Sequence, residues 1–130
     1  WNEQIEMGLN RPLSWWLLEF DNPESGNPLL IDLMGMQKGM AWLNGHCIGR
    51  YWLVKAREQD YWGKGAPVSF HGLGKPTQRY YNLPFEWFVK GKNNIVLFEE
   101  LGGDPRTIQI CARKWDKCCD EELSGVKLGI

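Results

Sequence analysis

The sequence lacks a surplus of charge of either sign: 15 Lys and Arg stand against 16 Asp and Glu, for a formal net charge of −1. That balance offers no electrostatic handle for nucleic acid or an anionic membrane surface. No apolar run approaches the length of a bilayer span, and no charged-then-apolar leader opens the chain. It starts at Trp1 rather than Met, as expected of a processed product or an excised piece. Histidine is scarce, with only His46 and His71, so the four cysteines have few partners for a tetrahedral metal site. Neither a metal nor a cofactor is expected. Cys47, Cys111, Cys118 and Cys119 allow three pairings if all are bridged. A bridge from Cys111 to Cys118 or Cys119 is geometrically easy and would leave Cys47 as a small buried hydrophobe; free thiols are the alternative, and the redox compartment stays open.

Internal repeats, low-complexity tracts and helical periodicity are also missing. What is abundant is tryptophan, eight in 130 residues, in a chain long enough for one domain with its own core. Indole supplies core bulk, but a surplus also occurs where a sheet meets another domain or a sugar ring.

The strongest local signal is Asn44-Gly45 between two apolar segments. A two-residue type I′ turn needs positive φ at both central positions, and Asn-Gly tolerates this best. It predicts a hairpin of Met40–Leu43 and His46–Tyr51, pairing Leu43 with His46, Trp42 with Cys47 and Ala41 with Ile48. Ala41, Leu43 and Ile48 then share one face, and Met40, Trp42 and Cys47 the other. Both faces are apolar, so one lines a core and the other must be covered by a loop or a neighbouring domain. Further strands are expected over 13–20, 29–33, 78–83, 94–99 and 107–112, with a helical turn over 85–89 and a tight turn at Gly102-Gly103-Asp104-Pro105. The polar, Gly-rich stretch over 55–76 reads as a surface loop. Many short strands separated by turn clusters predict an all-β, two-sheet sandwich over 1–114, followed by a charged, less regular tail over 115–130.

No constellation supports catalysis. Glu99 and Glu100 adjoin on a strand, where successive side chains point to opposite faces; they cannot together flank a glycosidic bond at the roughly 5–10 Å a glycosidase needs. One is expected to be solvated and the other locally bonded, with Asp32 and Asp104 capping turns. Neither Ser14 nor Ser69 stands in a nucleophile arrangement, and Gly102-Gly103 lacks the strand–loop–helix setting of a phosphate loop. Arg50 and Arg79, beside aromatic pairs, are expected to pack on rings within the fold.

The series Pro12-Leu13-Ser14-Trp15, Phe20-Asp21 with Pro23, Pro28-Leu29 with Asp32, Lys38-Gly39, and Trp42 with Asn44-Gly45 and Ile48-Gly49-Arg50-Tyr51-Trp52 resembles the carboxy-terminal β-domain of plant-type β-galactosidases of glycoside hydrolase family 35. The likeness continues through Gln78-Arg79, Tyr81, Pro84 and Trp87 to Asn94, Phe98-Glu99-Glu100 and Gly102-Gly103-Asp104-Pro105. It covers about Trp1 to Ala112; the residues from Arg113 onward have no counterpart. The resemblance implies a jelly-roll sandwich of the galactose-binding-domain-like kind. In such enzymes the acid and the nucleophile, both Glu, lie in a separate (β/α)8 barrel. No catalytic residue therefore carries over to this chain. The family implies secretion or a vacuole, but the cysteines usual in its 55–76 loop are missing, since none lies between Cys47 and Cys111.

Three functions follow as expectations. The first is a non-catalytic module packing on a catalytic barrel, with Met40, Trp42 and Arg50 at the interface. The second is a carbohydrate-binding module in which Tyr51, Trp52, Trp62 or Trp87 stacks on a galactose-containing glycan. The third is a structural subunit that has lost the barrel and joins a larger assembly.

Overall fold

The computed structural model describes residues 8–55, 76 and 78–113, together with the backbone alone of 121–123 and 127–129. Trp62, His71, Cys118, Cys119 and nearly all of the surface loop expected over 55–76 lie outside these residues. The strands found among the described residues are β1 (Ser14–Asp21), β2 (Leu29–Asp32), β3 (Lys38–Leu43), β4 (His46–Trp52), β5 (Tyr80–Leu83), β6 (Lys92–Glu99), β7 (Gln109–Ala112), β8 (Glu121–Leu123) and β9 (Lys127–Gly129). They form a five-stranded sheet ordered β4-β3-β6-β1-β9 and a four-stranded sheet ordered β5-β2-β7-β8. Every pairing is antiparallel. Short 3-10 turns occupy Phe85–Trp87 and Pro105–Thr107. The charged tail, in which no strand was expected, adds β8 to β7 and β9 to β1.

Side-chain alternation builds the core. In the five-stranded sheet Trp16, Leu18 and Phe20 of β1, Ala41 and Leu43 of β3, and Ile95 and Leu97 of β6 point inward. They meet Leu29, Ile31, Leu83, Ile110 and Ala112 of the other sheet in one continuous cluster. Burying each such large aliphatic side chain contributes about 1.5–3 kcal/mol.

The hairpin turn forms as the sequence predicts, with Asn44 at φ 48° and Gly45 at φ 83°. Leu43 pairs with His46 and Trp42 with Cys47, but Ala41 pairs with Gly49 instead of Ile48. Ile48 is the extra residue of a β-bulge, and Gly49 at φ 120° supplies the backbone geometry the bulge requires. The slip reverses the facing of everything after it. Tyr51 turns into the core opposite Gly39, while Arg50 turns outward opposite Met40. Gly39 makes room for that ring: a Cβ there would lie 1.7 Å from the Phe98 carbonyl oxygen and 2.7 Å from the Tyr51 hydroxyl. Cys47, expected to be buried, is exposed, because it lies on the outer face of an edge strand.

The hairpin tip is bonded to the segment after β5. Asn93, 1% exposed, accepts at Oδ1 from Asn44 Nδ2 (2.7 Å) and the Val89 N–H (2.9 Å). Its own Nδ2 donates to the carbonyls of Val89 (3.0 Å) and Gly91 (3.1 Å). Asn44 Nδ2 also donates to the Trp87 carbonyl (2.9 Å), and Asn44 Oδ1 accepts from the Asn94 N–H (3.0 Å). These bonds satisfy buried polar groups and hold the 84–91 segment in place.

Candidate functional site

The outward residues of the five-stranded sheet form the first site. Strand register sets Trp15 beside Phe98 and Phe98 beside Met40 in one row, with Leu17, Val96 and Trp42 in the next. The Trp15 ring lies 4.7 Å from Phe98 and 5.8 Å from Trp42, centroid to centroid. Trp15 is nevertheless 64% exposed, so the described residues leave much of this aromatic cluster open. Beyond its end, Glu100 pairs with Arg50 (3.2 Å) and Lys38 (3.7 Å), and the Lys38 ammonium sits 4.9 Å from the centre of the Trp52 ring. Partly exposed ion pairs of this kind add little stability; here they place charge around an apolar surface. Met40, Trp42 and Arg50 are thus brought to one face. Arg50 bonds a carboxylate rather than packing on a ring, whereas Arg79 does lie over Tyr80, at 4.8 Å.

The residues considered for sugar stacking are not gathered. Tyr51 is 1% exposed, and its hydroxyl donates to the Phe98 carbonyl (3.2 Å), so no ring face is open to a ligand; this corrects its place among the sugar candidates. Burial, and then the nearby Glu99 charge, pushes its phenol far above the usual range. Trp52, 54% exposed, closes β4, while Trp87 stacks on His46 at the strand's other end, with centroids 5.0 Å apart and planes 10° apart. A seven-residue strand separates them by about 20 Å, too far for one pyranose ring.

Among the described residues, two clefts bear on the site. The larger, about 490 Å³, lies between the turn Met34–Gln37, residues 52–55, Pro76 and Leu101. The smaller, about 380 Å³, lies between residues 26–29 and 82–86. Phe85 stands at the second with 74% exposure; the sequence reading passed over it, and an apolar residue directly after Pro84 in a turn was the only signal.

Asp32, Glu99, Glu100 and Asp104 have structural roles. Glu99, fully buried, accepts from the backbone N–H groups of Gln37, Lys38 (3.0 Å) and Leu101 (3.3 Å), tying two turns together. Glu100 takes the ion pairs described above, so both neighbours are locally bonded; the expectation that one would be solvated is corrected, because Lys38 and Arg50 flank Glu100. Asp32 caps Met34 and binds Arg79 through Nε (3.0 Å) and NH2. The Arg106 guanidinium, bonded to Asp104, holds that carboxyl below its ordinary range. Among the described residues no three His, Cys, Asp or Glu converge as metal ligands.

Residues 13–93 match the family model described as the galactose-binding domain of beta-galactosidase. The chain belongs to this family. Relatives include Beta-galactosidase 3 of Oryza sativa subsp. japonica, 39% identical over 127 residues, which span 92% of this chain and 15% of that protein. Beta-galactosidase 10 of Arabidopsis thaliana is 39% identical over 125 residues, spanning 88% of this chain and 17% of that protein. Within this galactose-binding domain, Trp15, Trp42, Trp52 and the whole of the smaller cleft fall inside the matched span, while Phe98 and Glu100 lie beyond it.

Proposed function

We propose that this chain is a non-catalytic accessory module at the carboxy-terminal side of a larger family 35 β-galactosidase-like enzyme, packed against that enzyme's catalytic barrel. The observation that carries the reading is the Trp15–Phe98–Trp42 cluster on the five-stranded sheet, in which Trp15 stacks on Trp42, lies tilted against Phe98 and is itself largely open. Contiguous exposed aromatic surface bordered by charge marks a contact region, and contacts between domains of one chain bury about 600–1,500 Å². The chain's small share of its relatives' length and the structural engagement of Asp32, Glu99 and Asp104 support the same view.

The test uses the full-length parent. Trp15→Lys with Trp42→Lys should leave the sandwich folded but loosen its docking, seen as earlier release by limited proteolysis and a separate unfolding transition. Unchanged protease resistance with a single transition would overturn docking through this face. The 130-residue chain alone should leave a chromogenic β-galactoside intact, and turnover by it would end the non-catalytic reading.

A second reading, binding of a galactoside by the same module, is favoured by the exposed Phe85 ring beside the smaller cleft.

A further inference from the structure

The antiparallel pair β2–β5 ends where Leu29 meets Leu83. Both residues belong to the core, with 4% and 2% exposure, so this end of the pair is rigid. The chain enters β2 and leaves β5 through proline-bearing turns, and the cleft of about 380 Å³ lies between them. Its size is within the range of about 300–1,000 Å³ common for small-molecule sites. In the 3-10 turn beyond Pro84, Trp87 and Phe88 pack against the core while Phe85 turns away from it. The bonds from Asn44 and Asn93 to Trp87 and Val89 anchor that turn from the far side. Phe85 is therefore held on a fixed segment with its ring uncovered.

The polar side chains around this ring are uncommitted among the described residues. Asn27, Asn82 and Glu86 line the cleft, and their side chains make no hydrogen bond or ion pair with another described residue. The larger cleft is different. Its Trp52 ring already carries the Lys38 ammonium, its Gln37 amide already donates to the Gly102 carbonyl, and most of its remaining wall is apolar, from Met34, Met36, Leu53, Val54 and Leu101. A pyranose ring presents an apolar C–H face and a rim of hydroxyls, each of which donates and accepts. It needs an open aromatic face together with amide or carboxylate groups free to bond. Of these two clefts, the smaller offers both.

We infer that the Phe85 cleft is a subsite for a neutral galactoside, with the sugar's C–H face on Phe85 and its hydroxyls on Asn27, Asn82 and Glu86. The inference rests on the galactoside-binding reading above and adds the location and the charge selection. The lining residues include Glu86 and no Lys or Arg, so the site takes a neutral galactoside and disfavours a galacturonate, whose carboxylate would face a like charge with no ion pair among the described residues.

The 130-residue chain, 15N-labelled, is titrated with methyl β-galactopyranoside and, in parallel, with galacturonate. Saturable amide shifts are expected at 26–29 and 82–86, with galacturonate weaker by about tenfold. Phe85→Ala should weaken galactoside binding by about tenfold or more, whereas Trp52→Ala should leave it unchanged. Should Phe85→Ala not fold, Asn82→Ala, at an exposed position of edge strand β5, reports on the same site. Saturable shifts confined to 52–55 and Leu101 would overturn this subsite while sustaining galactoside binding; no saturable shift anywhere in the folded chain would overturn both. Equal affinity for galacturonate would overturn the charge selection.

Discussion

The two sheets treat their outer faces in opposite ways. Strand β2, between β5 and β7, is buried on both sides: Leu29 and Ile31 face the core, and Leu30 and Asp32, pointing away from it, are 6% and 3% exposed. Strand β1, between β6 and β9, is buried on one side only, and Trp15 on its other side is 64% exposed. Both are interior strands, but β2 is paired on both sides along its whole length, whereas β1 is paired by β6 throughout and by β9 only over Leu17–Glu19; the difference between them is not that of interior against edge strand. It lies in what covers the outer side chains. The lesson is that an unbroken buried run such as Leu29-Leu30-Ile31-Asp32 marks a strand already enclosed. Along the equally apolar Trp15-Trp16-Leu17-Leu18 it is only the burial that alternates, which leaves aromatic surface available for a contact.

This contrast can be broken in a definite order. Gly39→Ala strikes the inner face of the five-stranded sheet, where the new methyl collides with the Phe98 carbonyl, and is expected to lower stability by about 3 kcal/mol or more in urea unfolding. Leu30→Ala, on the outer face of the other sheet, should lower stability by about 2–3 kcal/mol if that face is enclosed. Trp15→Ala, at the matching outer position of β1, should shift the isolated chain by about 1 kcal/mol or less, because its ring is mostly in water. Equal losses from Leu30→Ala and Trp15→Ala would erase the distinction between the faces.

The smallest effect lies away from both faces. The Asp104 carboxyl is held below its usual value by Arg106. A depressed carboxyl contributes stability above the ordinary carboxylate range of about 4, which is lost as pH falls through the lower native value. Arg106→Ala should therefore remove a small increment at neutral pH and flatten the acid limb of the stability profile. An unchanged acid limb would show that the pair contributes nothing.

Much of the fold was legible from local chemistry. The positive φ of Asn44 and Gly45 and the strand pairing next to that turn follow from a few adjacent residues. The facing of Tyr51 and Arg50 was not legible. It turns on a one-residue bulge at Ile48-Gly49, and a period of two cannot reveal where it slips. The smaller cleft was hidden as well, since its two walls stand more than fifty residues apart in the chain and meet only through the β2–β5 ladder. Strands β8 and β9 in the charged tail carried no apolar alternation and are recognisable only by their partners β7 and β1.

By itself, then, the sequence determined an all-β chain, the Asn-Gly turn, a sheet with two apolar faces and the family likeness, because these depend on spacing and backbone preference within short segments. Only the tertiary structure decided which face stays open, that Tyr51 belongs to the core rather than to a ligand, and that Phe85 stands beside polar groups uncommitted among the described residues. Those outcomes depend on which distant strands lie side by side, and the free energy that sets that pairing comes from burial across the whole sandwich.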